Sequence, residues 1–234
     1  MVEEIFGAWI APLVALLTLL ISFVLAGCAS PAALSPSERQ SPGGTRAEWN
    51  VVVIGDSSLW GLGEAIAAQI EDDMDVTVAV YDATVGGLSA GEVLRALRTG
   101  DAESPRLKRL PEQLEKAQVV VMWVNPTDSI APDRPMNAGA CLGSRDPGPC
   151  PPEAFEKYTA DLEAIWAEIL DLRAGRPTIL WATDLYNPLV VPWREHGVFE
   201  ACTLCWENLS GAVRAAAEAF NIPFLSRYDA FNGP

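Results

Sequence analysis

Val51-Val52-Val53-Ile54-Gly55-Asp56-Ser57 is the stretch from which the fold can be read. Four β-branched residues in succession, with no polar alternation, suit a strand buried on both faces. That pattern belongs to parallel sheets covered by helices on each side. Gly55 closes the run, and Asp56-Ser57 turn the chain toward a helix-like segment from Glu64 to Glu71. The alternation continues outward. Val76 to Tyr81 reads as a second strand, and Ser89-Ala90-Gly91-Glu92 has the form of a capping box with Leu94 and Leu97 on the helix face behind it. Pro105 to Lys116 reads as a helix broken or restarted at Pro111, and Val119 to Val124 as a third strand. The segment from Ile130 to Pro152 is irregular and rich in Pro, Gly and Cys, so it reads as a surface excursion. Tyr158, Leu162, Ile165, Ile169 and Leu172 then recur at spacings of 4, 3, 4 and 3, drawing one apolar stripe along a helix. Thr178 to Ala182 is a fourth strand. Trp206, Leu209, Val213 and Phe220 line a further helix, and Ile222 to Leu225 is a fifth strand.

Strands separated by crossovers of this length predict an α/β fold: a three-layer α/β/α arrangement around an open, doubly wound parallel sheet. Ligands of such sheets bind beyond the carboxyl ends of the strands. The polar residues of interest fall there: Asp56-Ser57 after strand one, Gly86-Gly87 after strand two, Asn125 to Asp128 after strand three and Asp184 after strand four.

With 234 residues, half of them apolar, the chain can bury one core of ordinary domain size. Its formal charge of −15 repels phosphate backbones, which argues against nucleic acid as a partner. The first residues read as an export element. Ala8 to Val24 are almost all apolar and run into Leu25-Ala26-Gly27-Cys28, which resembles the lipobox of bacterial lipoproteins, with Cys28 as the lipidated residue. Glu3 and Glu4 sit where such signals normally carry Lys or Arg, so an uncleaved anchor helix stands beside the lipoprotein reading. Either places the rest of the chain outside the cytoplasm, tethered to the membrane. Residues 29–48, rich in Ser, Pro and Gly, form the tether, and 49–234 the folded domain. Apart from Cys28, the cysteines are Cys141, Cys150, Cys202 and Cys205, an even set that suits two disulfides in an oxidising compartment. A four-thiolate zinc site is the competing reading, weakened because a single CxxC is present.

Ser57 follows a strand on a tight turn, a position that exposes a hydroxyl above the sheet and aims helix N–H groups at negative charge developing nearby. The same serine could be no more than a helix cap. Taken with Val51 to Ser57, the segment Val85-Gly86-Gly87-Leu88-Ser89 and the segment Asn125-Pro126-Thr127-Asp128, the chain resembles the SGNH, or GDSL-type, hydrolase family. The resemblance implies a flavodoxin-like sheet and an esterase, lipase or acetylesterase activity on small-molecule or glycan esters, with no cofactor and no metal. It implies Ser57 as nucleophile and Gly87 as an oxyanion donor. The family's third block is Gly-x-Asn-Asp; aligned on Asp128, Asn125 replaces the glycine and Thr127 the asparagine. Either Asn125, by a local rearrangement, or Thr127 would complete the oxyanion hole, or that donor is lost.

The family's last block, Asp-x-x-His, comes after strand five, where this sequence offers Ser226 to Pro234. The chain therefore reads as carrying the nucleophile without its Asp–His pair, as lacking a terminal helix, and as nearly inactive in this form. The single histidine, His196, lies in a loop after strand four and reads as solvated. Asp56 is expected to fix the serine turn and Asp184 to form a turn. Trp181, Tyr186 and Trp193 are candidates for a pocket wall. An inactive envelope lipoprotein of the same fold, binding a glycan or a protein, is the alternative function.

Overall fold

The computed structural model describes residues 46–129 and 152–232. Five parallel strands form one sheet in the order β2-β1-β3-β4-β5. They are β1 (Ala47–Gly55), β2 (Val76–Thr84), β3 (Val119–Trp123), β4 (Ile179–Thr183) and β5 (Phe224–Leu225). The helices are α1 (Leu62–Asp73), α2 (Ala90–Thr99), α3 (Pro105–Lys108), α4 (Leu110–Lys116), α5 (Glu156–Arg173), α6 (Val190–Glu195), α7 (Phe199–Ala219) and α8 (Arg227–Asn232). This is the doubly wound α/β architecture expected from the sequence. β1 begins two residues before Trp49, because Ala47 and Glu48 pair with Val76 and Thr77 although both are exposed.

Strand order and handedness distribute the helices. Parallel crossovers are right-handed. The step from β1 to β2 runs one way along the sheet, and the steps to β3, β4 and β5 run the other. α1 therefore lies on one face, where a Cβ on Gly63 would meet Val53 and Val80. α2, α4, α5 and α7 pack against one another on the opposite face. Val51 to Ile54 and Val119 to Trp123 are buried throughout, which is why these runs carry no polar residue. α1 packs on its face against β1 and β2. Ile179, Trp181 and Leu225 are exposed on β4 and β5, and register and strand alternation set them on that same face.

Local chemistry explains the element ends. Ser89 and Glu92 form the reciprocal capping box of α2. The expected break near Pro111 falls at Arg109, which ends α3 and precedes α4. Arg173, buried at the end of α5, donates to the carbonyls of Leu114 and Glu115, which lie in the last turn of α4. Trp193 is buried in a satellite cluster with Cys202 and Trp206, its ring edge-on to Trp206 at 5.6 Å. Cys202 and Cys205 are both buried on α7, while Cys28, Cys141 and Cys150 lie outside the described residues. The apolar segment at 8–24 and the tether through residue 45 lie outside them too. Among the described residues no helix is long and apolar enough to cross a membrane.

Candidate active site

Gly55 sets the site level. It is in register with Thr84 of β2 on one side and with Trp123 of β3 on the other. The loops that leave these three strands therefore start side by side at the carboxyl edge of the sheet. Gly55 is required by close approach: a Cβ there would lie 2.5 Å from Leu59 Cδ1 and 2.8 Å from the Trp123 carbonyl oxygen. The carbonyl is backbone and cannot yield cheaply. Gly55→Ala is expected to cost about 1–3 kcal/mol and to lower the melting midpoint measured by thermal denaturation.

Beyond Gly55 the chain makes a single 3-10 turn, Ser57–Leu59. Asp56 caps it, with its Oδ1 accepting from the Ser58 N–H at 2.8 Å. The role expected of Asp56, fixing this turn, is the one its side chain performs. Ser57 itself is exposed, and its hydroxyl hydrogen-bonds to no described residue. The loop after β2 lies alongside. Val85 N–H donates to the Gly55 carbonyl, and Leu88 N–H closes a turn on Val85 O. Gly87 sits in that turn at φ +71°, a left-handed conformation that L side chains rarely adopt. Neither the Ser57 nor the Gly87 N–H donates to another described residue.

The third loop is pinned to the second. Asn125 N–H donates to Leu88 O, and Ala90 N–H donates to Asn125 O, making a parallel bridge between Ser89 and Asn125. Asn125 Oδ1 accepts from the Thr127 N–H at 3.0 Å, which leaves the two Nδ2 hydrogens for another acceptor. Asn125 is half-buried, whereas Thr127 is exposed. Asp128 turns away toward α2, accepting from the Ser89 hydroxyl at 2.7 Å and the Gly91 N–H at 3.3 Å. Beneath the loop, the buried Tyr158 hydroxyl of α5 donates to Val124 O at 2.6 Å. Burial, then the nearby Asp56 and Asp128 carboxylates, push the Tyr158 hydroxyl well above its ordinary pKa, so it remains a neutral donor.

A cavity of about 300 Å³ opens beside the β2–α2 loop, lined by Val85, Glu92, Arg95 and Leu107 among others. Ser57, Gly87 and Asn125 do not line it. His196 ends α6, exposed, and no hydrogen bond joins its ring to Ser57. Trp181 stands on the sheet face rather than at the carboxyl edge, and Trp193 is buried in its cluster, so neither lines the space above Ser57. Tyr186 is partly exposed after β4, 5.8 Å from the Phe231 ring.

Asp184 proves to be a buried junction. Its Oδ2 accepts from the hydroxyls of Ser210 and Ser226, and its Oδ1 from the N–H groups of Arg227 and Tyr228. It thereby caps α8, a six-residue helix that follows β5 where the sequence suggested no helix.

The sequence matches no family model and no curated protein. Its fold is similar to that of a lipase/acylhydrolase from Enterococcus faecalis, at 18% identity over 79% of this chain and 78% of that one, TM-score 0.48. It is also similar to Est24, a carbohydrate acetylesterase from Sinorhizobium meliloti, at 16% identity over 77% of this chain and 85% of that one, TM-score 0.46. AlinE4, an SGNH-hydrolase family esterase, is a third, at 14% identity over 79% and 77%, TM-score 0.42. These are likenesses in the path of the chain, and the chemistry has to rest on this chain's own residues.

The residue that sequence reasoning missed is Arg227. From the first residue of α8 its guanidinium reaches the serine turn, donating to Ser58 O at 2.9 Å and to Ser58 Oγ at 3.3 Å. Nothing in Ser226-Arg227-Tyr228 marks such a reach, because the partner lies 169 positions away.

Proposed function

We propose that this chain is a serine ester hydrolase that works outside the cytoplasm, held at the membrane by its N-terminal segment. The observation that carries the catalytic part is the placement of Ser57. It is an exposed hydroxyl at the carboxyl end of β1, an interior strand, on a capped turn, beside a left-handed glycine whose N–H has no partner among the described residues. Ser57 Oγ adds to the carbonyl carbon of an ester while its proton passes to an imidazole. The oxyanion that forms accepts from the N–H groups of Ser57 and Gly87 and from Asn125 Nδ2. Collapse expels the alcohol, which takes up the proton, and water then releases the acid from the acyl-serine. The family resemblance assigns that imidazole to an Asp-x-x-His block, which these 234 residues do not include; their single histidine, His196, makes no hydrogen bond to Ser57.

Asn125 rather than Thr127 is the third donor in this reading, because its carboxamide keeps two free hydrogens in a loop tied to the Gly87 loop. Asn125→Asp retains the acceptor for Thr127 N–H and removes the donors, so kcat is expected to fall by about 100- to 1,000-fold. An unchanged kcat would transfer the role to Thr127 or abolish it. Export and anchoring are supported by the Leu25-Ala26-Gly27-Cys28 sequence and the apolar run before it. Mass spectrometry of the membrane-extracted protein should find a diacylglyceryl group on Cys28, and a free thiol there refutes lipidation. The hydrolase reading is tested by exposing the full-length protein to a fluorophosphonate and mapping the adduct. Modification of Ser57 is expected. An unmodified Ser57 leaves the binding-protein reading in its place.

A further inference from the structure

We infer that Arg227 is a positioning residue that locks the turn carrying Ser57, an inference that rests on the hydrolase reading above and extends it. Ser57 sits on a turn of three residues closed by two backbone hydrogen bonds, Leu59 N–H to Asp56 O at 3.1 Å and Trp60 N–H to Ser57 O at 3.4 Å. The second is long, and such a turn has little stiffness of its own. What holds it is the residue after the nucleophile. The Ser58 N–H is fixed by Asp56, and its carbonyl and hydroxyl are fixed by the Nη1 and Nη2 of Arg227. Among the described residues, Arg227 is the one side chain beyond the capping Asp56 that hydrogen-bonds to the turn.

The other end of the arginine is anchored as firmly. Its Nε donates to the Asp184 carbonyl at 2.7 Å, and its own N–H to the Asp184 carboxylate at 2.6 Å. Asp184 is in turn held by Ser210 of α7 and Ser226 after β5. The planar fork therefore spans from the carboxyl end of β4 to the turn after β1 with no rotatable bond between its donors. Burial lowers the guanidinium's pKa, and the carboxylates of Asp184 and Asp56 counter it. Lysine has one nitrogen and cannot engage Asp184 and both Ser58 oxygens together.

The experiment measures the rate of Ser57 modification by a fluorophosphonate in the full-length wild type, Arg227→Ala and Arg227→Lys. Ethylguanidinium is added to the alanine variant, and melting midpoints are recorded for all three. Arg227→Ala should label about 10- to 100-fold more slowly. Arg227→Lys should be nearly as slow despite its charge, and ethylguanidinium should restore part of the alanine variant's rate. With an ester substrate the loss should fall on kcat and leave KM near the wild-type value. Wild-type rates in both variants overturn the inference and leave the hydrolase reading standing, as does a slowed alanine variant that ethylguanidinium fails to rescue. Absence of labelling at Ser57 in the wild type overturns both. Should Arg227→Ala not fold, the lysine variant, read below its melting midpoint, decides by the same comparison of rates.

Discussion

Ser57→Ala removes hydrolysis of p-nitrophenyl acetate down to the level left by binding alone, a fall in kcat of about 10⁴- to 10⁶-fold when the Asp–His pair that the family resemblance implies is present. The size follows from what the serine supplies. It is the atom that forms the covalent bond, and without it the oxyanion donors have no tetrahedral intermediate on the enzyme to stabilise. What remains is attack by water on a bound ester. The fold should not notice the change, since the Ser57 hydroxyl is exposed and hydrogen-bonds to no described residue, and a surface substitution of this kind lies within about 0.5 kcal/mol. The melting midpoint should therefore match the wild type while activity vanishes. Equal rates in the two proteins would take Ser57 out of the mechanism.

Asp184→Ala acts in the opposite sense, on stability first. Asp184 is buried and accepts from two hydroxyls and two backbone N–H groups. Hydrogen bonds to a charged group are each worth about 1.5–3 kcal/mol, and donors left buried without a partner cost more than the bonds they lose. The hydroxyls of Ser210 and Ser226 can turn to other acceptors, whereas the N–H groups of Arg227 and Tyr228 are fixed by the start of α8. A net loss of about 3–5 kcal/mol is expected, which lowers the melting midpoint by about 6–20 °C in a domain of this size. Asp184→Asn keeps the shape and one acceptor, so it should recover part of that loss. An alanine variant that melts with the wild type would show that the junction carries no weight.

Much of the fold was legible because its signals are local and repeated. Val51 to Ile54, Val119 to Val124 and the stripe from Tyr158 to Leu172 each declare burial through a pattern that no surface segment would maintain. The capping box at Ser89 and the break near Pro111 are read from a few adjacent residues, and both are present. α6 was not legible: it is six residues long with Pro192 inside, too short to show a period. The start of α7 at Phe199 was hidden because Cys202 and Cys205 read as disulfide candidates rather than as buried positions of a helix face.

The site divides along the same line. Ser57, Gly87 and Asn125 could be nominated because each follows directly on a strand end, and the strands fix where such residues go. The pocket walls could not. Trp181 and Trp193 are aromatic and lie near strand four in sequence, yet one belongs to a sheet face and the other to a small core. Composition does not distinguish those places from a binding surface. Arg227 and Asp184 were invisible for a different reason: their contacts join the ends of β1, β4 and β5, and no spacing in one segment encodes a meeting of three.

The bond between Arg227 and Ser58 also has an order in time. The chain is made from its N-terminus, so the serine turn leaves the ribosome 169 residues before the arginine that holds it. At ordinary synthesis rates of about 5–20 residues per second the delay is about 10–30 s. During that interval β1, β2 and β3 are already available to form the carboxyl edge with Ser57 upon it, but the tie that stiffens the turn does not yet exist. A reactive serine of this design is thus assembled early and tightened late, when the strand and helix that end the described domain come into place.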